Sequence, residues 1–317
     1  FSSKNSYSES YGTVIMYHRF EESNLPSTSI SLKTFESHLT YLKENNFNVL
    51  PLSKLIDYFY NEKELPKKSI FITVDDGYKS FYEKAFPLLL KFNYPFSIFV
   101  STDYVSNNPN SNFMNWEMLK EIQNNNGSIY NHTSNHSNLN KISKQGKLNV
   151  IKKASEELRK NLREEARIFS YPYGISNLEI ESILPGLGYD LAFGQQSSHI
   201  HKKENRFRLP RFAFNEEFGS IDRFKLIVNS FPIQAYDLIP QGPKIKNTNL
   251  RLGFSTDQDI SSINCYHSSG ISLKTNKIEP SRIEIQMLSA PKKGINRINC
   301  TSQVNGKLFW YGRILIN

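Results

Sequence analysis

Short β-type runs alternate with longer helix-type segments over most of this chain, from Gly12 to about Phe231. Within the longer segments apolar residues recur at intervals of three and four, as at Phe35, Leu39 and Leu42, which predicts amphipathic helices. Repeated strand–helix alternation predicts a parallel α/β sheet or barrel, whose functional side chains cluster at the C-terminal ends of the strands. The predicted strands are Val14–Tyr17, Ile70–Val74, Ser97–Val100, Ser128–Tyr130 and Ile168–Tyr171, and the predicted helices are Leu32–Glu44, Leu52–Tyr60, Tyr78–Phe92, Asn115–Asn126 and Leu148–Arg163.

The pattern changes after about Pro232, where short runs separated by turns replace the helical segments. Several of these runs alternate in period two, as in Arg282–Met287, which predicts a small all-β module of the sandwich type. We therefore expect an N-terminal tail over residues 1–11, an α/β domain over 12–231 and a β-sandwich-like domain over 243–317. The predicted strands of the last domain are Leu250–Phe254, Ile260–Tyr266, Arg282–Leu288, Asn296–Ser302 and Leu308–Leu315.

The charge balance and the apolar runs limit the classes of partner. The net charge is +9, and a positive surplus of this kind can attract nucleic acid. Because the lysines are scattered and form no long block, an ordinary solvated surface is favoured and we expect no nucleic-acid partner. No apolar run approaches the roughly 18 residues of a membrane helix, so no transmembrane segment is predicted. Nothing in the sequence indicates a protein partner.

The first residues and the cysteines favour export. The chain begins at Phe1 with a polar, Ser-rich stretch, typical of a mature N-terminus after a removed segment. The two cysteines, Cys265 and Cys300, lack the spacing of a zinc site, and in an exported protein we expect them to pair. In the cytosol they would instead be two buried thiols. We predict a periplasmic or cell-surface protein of a bacterium.

Two adjacent acids, Asp75 and Asp76, follow the apolar run Ile70–Val74 and precede Gly77. Since side chains alternate along a strand, the two carboxylates point to opposite sides. One of them can bind a metal while the other faces a substrate. The alternative is a helix N-cap, which stabilises a helix by about 1 kcal/mol. Capping explains one Asp but not two, so a functional role is favoured.

Two histidines, His132 and His136, follow the predicted strand Ser128–Tyr130, in a chain with only seven histidines. At this spacing on one face of a helical turn they can share one ion. With a carboxylate from a neighbouring strand end they form a set that suits Zn²⁺, and also Fe²⁺, Co²⁺ or Ni²⁺. The alternative is a solvated surface pair. The other histidines in poorly patterned stretches are expected at the surface: His199, His201 and His267.

A third stretch, Phe169–Gly174, also closes a predicted strand and contains Pro172 and Gly174. Such a turn can aim main-chain N–H groups at a developing oxyanion. Taken in order, the three stretches resemble the polysaccharide deacetylase family with the NodB homology domain, carbohydrate esterase family 4. The resemblance covers about Gly12–Phe214 and includes the following supporting runs: Val14–Arg19, Leu65–Pro66, Phe86–Leu89, Pro95–Val100, Met114–Trp116 and His132–Leu139.

The resemblance implies a distorted (β/α) barrel that removes N-acetyl groups from GlcNAc-type sugars with a divalent metal. Matched by position, Asp76, His132 and His136 correspond to the metal triad. Asp75 corresponds to the general base that takes a proton from the attacking water. The main-chain N–H of Tyr173 corresponds to the oxyanion donor. Zn²⁺ is the expected metal, with Co²⁺, Ni²⁺ or Fe²⁺ as alternatives.

The sequence departs from the family pattern in two places. Ser170 stands where the family has the Arg that orients the base, and Arg211 is a candidate replacement, with a surface Arg as the alternative. The later stretch that supplies the general acid is not visible. A subset that resembles the poly-N-acetylglucosamine deacetylases has a His after its first strand, and His18 fits that place. The alternative is a His that hydrogen-bonds a loop.

Three functions remain open at this point. The first is a metal-dependent N-deacetylase acting on a GlcNAc-containing polysaccharide or envelope glycan. The second is a catalytically impaired glycan-binding protein on the same fold, because of Ser170 and the missing later stretch. The third is a non-haem iron oxygenase, which uses similar ligands but gives Asp75 no role. In the β module, the aromatic residues Phe309–Tyr311 fit either a sugar-stacking face or the core.

Overall fold

The computed structural model describes residues 10–317 apart from 164, 166, 246–250, 261 and 279–280. The predicted tail over residues 1–11 therefore lies almost wholly outside the described residues. Among the described residues, no helix has the combination of length and apolar character that crossing a bilayer requires.

An eight-stranded parallel sheet forms the first part of the fold. Seven strands follow the order β10-β1-β5-β6-β7-β8-β9, and β4 pairs with the first residues of β5. The strands at the ends of the row, β10 and β9, do not pair directly, and among the described residues only a short parallel bridge between Phe193 of β9 and Leu209, just before β10, links them, so the barrel is distorted and only partly closed. The strands are β1 (Gly12–Tyr17), β4 (Asn48–Val49), β5 (Ser69–Asp76), β6 (Phe96–Val100), β7 (Gly127–Asn131), β8 (Ile168–Ser170), β9 (Leu191–Phe193) and β10 (Phe212–Ala213), with a small separate pair, β2 (Arg19–Phe20) and β3 (Ser29–Ile30).

Helices connect the strands and cover the sheet. The first helix begins after Ser31, whose side chain accepts a hydrogen bond from the N–H of Thr34, and it buries Phe35, Leu39 and Leu42 against the sheet. A π-helical turn, Phe81–Ala85, leads into the third helix. The helices are α1 (Leu32–Glu44), α2 (Ser53–Tyr60), α3 (Phe86–Phe92), α4 (Trp116–Gln123), α5 (Lys144–Leu162), α6 (Leu178–Ile183) and α7 (Ile221–Val228).

Two four-stranded sheets follow, in the orders β11-β18-β17-β14 and β12-β13-β16-β15. They enclose one apolar core that includes Phe254, Ile285 and Phe309. The disulfide Cys265–Cys300 joins directly opposed residues of β14 and β17. The strands are β11 (Phe231–Pro232), β12 (Tyr236–Ile239), β13 (Arg251–Ser255), β14 (Asn264–His267), β15 (Leu273–Ile278), β16 (Arg282–Met287), β17 (Ile295–Val304) and β18 (Lys307–Ile316).

The predicted fold class is confirmed: a distorted (β/α) barrel sheet is followed by a sandwich-like all-β part. The predicted disulfide is present. The sequence pattern did not predict β11, β12 or β15, of which the first two are very short and the third is largely exposed. Strands β11 and β12 already pair with the C-terminal sheets. The domain boundaries, 12–231 and 243–317, stay a prediction.

The prediction that His199, His201 and His267 lie at the surface is wrong, because all three are buried. The ring of His199 lies 2.8 Å from the Thr13 hydroxyl and 2.8 Å from the Ser230 hydroxyl. His201 Nε2 lies 3.0 Å from the Glu204 carboxylate. In the β module, His267 Nδ1 accepts a hydrogen bond from the Ser269 main chain. The hydrogen-bond partners of His199 are distant in sequence, so the local sequence pattern gave no sign that this ring is buried.

His38 is a buried neutral imidazole of α1, packed against α7 on the helix side of the sheet. Its Nε2 lies 2.8 Å from the Gly219 carbonyl, and because a carbonyl only accepts, Nε2 carries the hydrogen. Nδ1 is then free to accept from the Tyr17 hydroxyl at 2.9 Å. The ring also stacks on Phe224 at 4.1 Å. Burial lowers the pKa of His38 from 6.5 to about 4.

We predict that acid destabilises the protein through His38. The unfolded chain binds a proton at His38 near pH 6.5, whereas the folded protein binds it only near pH 4, so the free energy of unfolding falls as the pH falls through this window. A difference of this size corresponds to roughly 3 kcal/mol. The free energy of unfolding, measured with denaturant at several pH values, should depend less steeply on pH in His38→Gln than in the wild type. Some dependence should remain, because His199 still titrates in the variant. Equal slopes for the variant and the wild type would contradict the prediction.

Candidate functional site

Three side chains converge at the C-terminal edge of the barrel sheet. Asp76 is the last residue of β5, and His132 and His136 lie in the loop that follows β7. Asp76 Oδ1 lies 3.3 Å from His132 Nε2 and 3.2 Å from His136 Nε2. The structure thus brings together the three residues that the sequence singled out, with one ligand atom from each within 4.8 Å of the others.

The predicted helical turn for the two histidines is wrong. Residues 132–136 form an irregular loop, in which Thr133 and His136 adopt left-handed backbone conformations with φ of 66° and 53°. The loop is held by the Asn131 side chain, which accepts a hydrogen bond from the Thr133 N–H at 2.7 Å. Asp76 is also left-handed, with φ of 76°. Unfavourable backbone conformations of this kind concentrate at functional sites.

The three residues fit a divalent metal. Asp76 Oδ1 is buried and has no hydrogen-bond partner among the described residues, although two imidazoles face it. His132 Nδ1 donates to the Ser170 carbonyl at 2.8 Å, which leaves the lone pair of Nε2 directed at Asp76. Burial would raise the pKa of Asp76, but without a metal the imidazoles, when they carry a proton towards it, hold that pKa well below its usual range. An ionised carboxylate and an imidazole with a free lone pair are the forms that bind a metal.

Asp75 lies beside this triad, close enough to interact with the charge of His132, and pairs with Arg211. Both side chains are completely buried. Arg211 Nη1 donates to Asp75 Oδ1 at 2.6 Å, and Nη2 donates to Oδ2 at 2.7 Å. Burial would raise the pKa of the Asp75 carboxyl, but the guanidinium beside it holds that pKa below its usual value. The alternative that Arg211 is a surface residue is therefore wrong.

Ser170 completes the surroundings of this pair. Its hydroxyl accepts a hydrogen bond from Arg211 Nη2 at 2.8 Å, and its carbonyl accepts the bond from His132. Arg211 Nε donates to the Gly194 carbonyl at 3.0 Å, which fixes the plane of the guanidinium. The small side chain of Ser170 leaves room for the guanidinium of Arg211, which lies where an Arg at position 170 would otherwise contact Asp75.

His18 and Tyr173 lie at the same centre. His18 follows β1, and burial lowers the pKa of its imidazole, against the raising effects of the Asp76 and Asp75 carboxylates. Tyr173 lies in a short 3₁₀ turn with φ of 62° and ψ of 6°. Its ring contacts the ring of His136, with 4.6 Å between the centroids. All seven residues singled out in the sequence therefore border one site.

Sequence reasoning missed an aromatic wall beside the site, formed by Tyr78, Phe113 and Tyr104. The ring of Phe113 stacks with Tyr78 at 4.9 Å and with Tyr104 at 4.8 Å. The guanidinium of Arg19 lies 3.4 Å from the centre of the Tyr78 ring. Burial raises the pKa of Tyr78 to about 12. The sequence did offer a signal for two of these residues: Tyr78 directly follows Asp76–Gly77, and Arg19 directly follows His18.

The aromatic run of the β module is mainly core. Phe309 and Tyr311 are buried, and Tyr311 packs on Phe254 at 4.7 Å. Trp310 instead contacts Phe212 of the barrel edge-on at 5.5 Å. The sugar-stacking face considered from the sequence is therefore not an exposed row of these three rings.

Comparisons with known proteins agree with this geometry. Residues 62–192 match the family model described as polysaccharide deacetylase. The poly-beta-1,6-N-acetyl-D-glucosamine N-deacetylase of Staphylococcus aureus is 24% identical over 241 residues, covering 67% of this chain and 81% of that protein. The predicted resemblance to the polysaccharide deacetylase family is therefore confirmed. The predicted enzyme class, a hydrolase of amide bonds, is thereby confirmed at the level of the family.

Solved structures of deacetylases have the same fold. The Streptococcus pyogenes deacetylase PplD in complex with acetate has a TM-score of 0.64 at 21% identity, covering 69% of this chain and 98% of that one. IcaB from Ammonifex degensii has a TM-score of 0.61 at 23% identity, covering 69% of this chain and 97% of that one. These similarities support the assignment of the barrel to the deacetylase fold.

We predict that the protein binds about one divalent ion per chain through the triad. Asp76→Ala or His136→Ala removes a ligand and should abolish stoichiometric metal in the purified protein, measured by elemental analysis. Asp57→Ala, an acid far from the triad in the sequence and on α2, is the matched control and should retain the ion. Equal metal content in the triad variants and the wild type would refute the site.

Proposed function

We propose that the chain is a metal-dependent N-deacetylase that removes acetyl groups from GlcNAc-type units of a polysaccharide or envelope glycan. One observation carries this proposal: a buried, Arg-held carboxylate, Asp75, stands next to an Asp–His–His triad. When bound, a divalent metal supplies Lewis acidity, which polarises an amide carbonyl and makes water a stronger nucleophile at neutral pH. Zn²⁺ is the ion that we expect first, with Co²⁺, Ni²⁺ or Fe²⁺ as alternatives.

Asp75 is the proposed general base. Its carboxylate takes the proton of the attacking water as the new bond forms between that oxygen and the acetyl carbon. Arg211 is a positioning residue: two parallel hydrogen bonds fix the orientation of Asp75, and the charge keeps it ionised. Arg211 thereby takes the place of the family Arg that is absent at Ser170.

His18 and Tyr173 are proposed for the remaining steps. Breaking the amide bond releases acetate and the sugar amine, and the amine nitrogen must gain a proton. His18, which faces Asp75 and Asp76, is the candidate donor of that proton. The main-chain N–H of Tyr173, in the turn beside His136, is the candidate donor to the oxyanion.

The substrate and the location are inferred from the relatives and from the chain. The S. aureus relative carries the name of a poly-β-1,6-GlcNAc deacetylase, which favours a poly-GlcNAc substrate here. The disulfide Cys265–Cys300 favours an oxidising compartment. We therefore propose an exported enzyme, in the periplasm or on the cell surface of a bacterium.

The alternative of a catalytically impaired glycan-binding protein depended on Ser170 and on the missing acid stretch. The contact of Arg211 with Asp75 removes the first reason, because the base has an orienting cation. The oxygenase alternative gains no support, since the matching family model is that of the deacetylases and an oxygenase has no use for the Asp75–Arg211 pair.

We predict that Asp75→Asn lowers kcat by about 10²–10⁴-fold, because an amide cannot accept the proton. The substitution leaves Asp76, His132 and His136 in place, so the metal content should stay unchanged. Activity is measured on a chromogenic acetyl ester and on a chito-oligosaccharide. A wild type that is inert with every divalent metal but binds glycan tightly would replace the enzyme with the glycan-binding alternative.

We predict that Arg211→Lys lowers kcat roughly tenfold to a hundredfold with little change in KM or metal content, because one ammonium cannot hold both Asp75 oxygens. Arg223→Lys is the matched control, since Arg223 is a largely buried arginine that donates to the Ala213 and Phe218 carbonyls. The control is expected to lose stability without losing kcat. If the two variants have the same kcat, Arg211 has no positioning role.

A further inference from the structure

A cleft of about 320 Å³ lies between the barrel and the C-terminal β sheets. The barrel contributes Gly174 and Gln196, from the loops after β8 and β9. The β sheets contribute Tyr236 of β12 and Tyr311 of β18. The volume falls at the lower end of the range for small-ligand sites, which is about 300–1,000 Å³.

The walls of the cleft are fixed by tight packing. A Cβ atom at Gly312 would collide with the carbonyl of Ser197, so β18 lies directly against the loop after β9. Arg313 donates to the carbonyls of Ile239 and Gly242, both at 3.2 Å, which ties the end of β12 to β18. The cleft is therefore formed before any ligand arrives, which reduces the entropic cost of binding.

The lining combines aromatic rings with hydrogen-bonding groups. Tyr236 and Tyr311 line the cleft, with the Lys203 ammonium over one face of the Tyr236 ring at 4.7 Å. Gln196 and Gln241 add amides, of which the Gln196 amide nitrogen already donates to the Arg208 carbonyl. Arg313 is only 7% exposed, and its Nε has no hydrogen-bond partner among the described residues. An unsatisfied buried donor is costly and is relieved by a ligand oxygen. Ring faces beside planar polar groups suit a sugar unit, which has both C–H faces and hydroxyl groups.

The cleft adjoins the catalytic centre along two connections. Gly174 directly follows Tyr173, whose ring contacts the metal-triad residue His136. Gln196 follows closely after Gly194, whose carbonyl accepts the hydrogen bond from Arg211. Residues that border the cleft are therefore within one or two positions of residues that contact the centre, in both loops.

We propose that this cleft binds a sugar unit of the glycan chain, away from the unit being deacetylated. The proposal rests on the proposed function, since it assigns the cleft to the same polymeric substrate. It predicts that long oligosaccharides bind more tightly than short ones, and that the difference depends on the Tyr236 ring.

The test uses a β-1,6-linked GlcNAc hexasaccharide and the GlcNAc monosaccharide as probes. Binding is measured by calorimetry in the metal-loaded Asp75→Asn protein, where turnover is suppressed, and kinetics are measured in the metal-loaded enzyme. Tyr236→Ala should weaken hexasaccharide binding between about threefold and tenfold. It should raise KM for the hexasaccharide similarly, while turnover of a small acetyl ester stays unchanged.

Two variants control for folding and for general loss of aromatic surface. Tyr236→Phe keeps the ring and should behave as the wild type. Tyr266→Ala removes a ring of the same β part that is 61% exposed and does not line the cleft, so it should have no effect. Equal hexasaccharide affinity in Tyr236→Ala and its parent, or no preference for the hexasaccharide over the monosaccharide, would overturn the cleft proposal.

These outcomes separate the two proposals. If the wild type deacetylates the hexasaccharide but Tyr236→Ala binds it normally, the deacetylase proposal stands and the cleft proposal fails. If the wild type deacetylates nothing but Tyr236→Ala loses hexasaccharide binding, the cleft proposal stands and the proposed reaction fails.

Discussion

The buried ion pair between Asp75 and Arg211 is the constraint on which the rest of the site depends. A buried charge without a partner is strongly destabilising, and a buried pair is often no more stable than apolar residues of similar size. Its presence in the barrel is therefore better explained by what the carboxylate does than by stability. The pair also ties β5 to the residue before β10, which are 136 positions apart. Because β1 pairs with both strands, the sheet order itself delivers Arg211 to Asp75.

Asp75 and Asp76 can have different roles because successive side chains of a strand point to opposite sides. Asp75 turns to the cation and Asp76 turns to the imidazoles, and the left-handed backbone at Asp76 and Gly77 ends the strand immediately afterwards. Moving the acids apart by one residue would place both on the same face. The dipeptide is thus a compact way to place the proposed metal ligand, Asp76, next to the proposed base, Asp75.

Local signals were enough to find Asp75, Asp76, His132 and His136, because acids at a strand end and closely spaced histidines are visible in sequence. The conformation of the histidine loop was not predictable, since it depends on left-handed residues and on a hydrogen bond that the Asn131 side chain accepts from the Thr133 N–H. Burial of His38 and His199 escaped prediction for a related reason. Their partners, such as Gly219 and Ser230, come from remote parts of the chain, and only the fold brings them together.

In the C-terminal β part, Tyr311 belongs to the apolar core and also lines the cleft. Period-two alternation predicted most of its strands, and the alternate apolar positions of β16, with Ile298 and Cys300 of β17, do face the core. Tyr311 packs on Phe254 in that core, and the cleft that it lines lies against the barrel. Whether an aromatic residue reads as core or as binding surface therefore depends on what packs against the sheet. Here the loop after β9 contacts Arg211 at one end and β18 at the other, so it lies between the Asp75–Arg211 pair and the cleft.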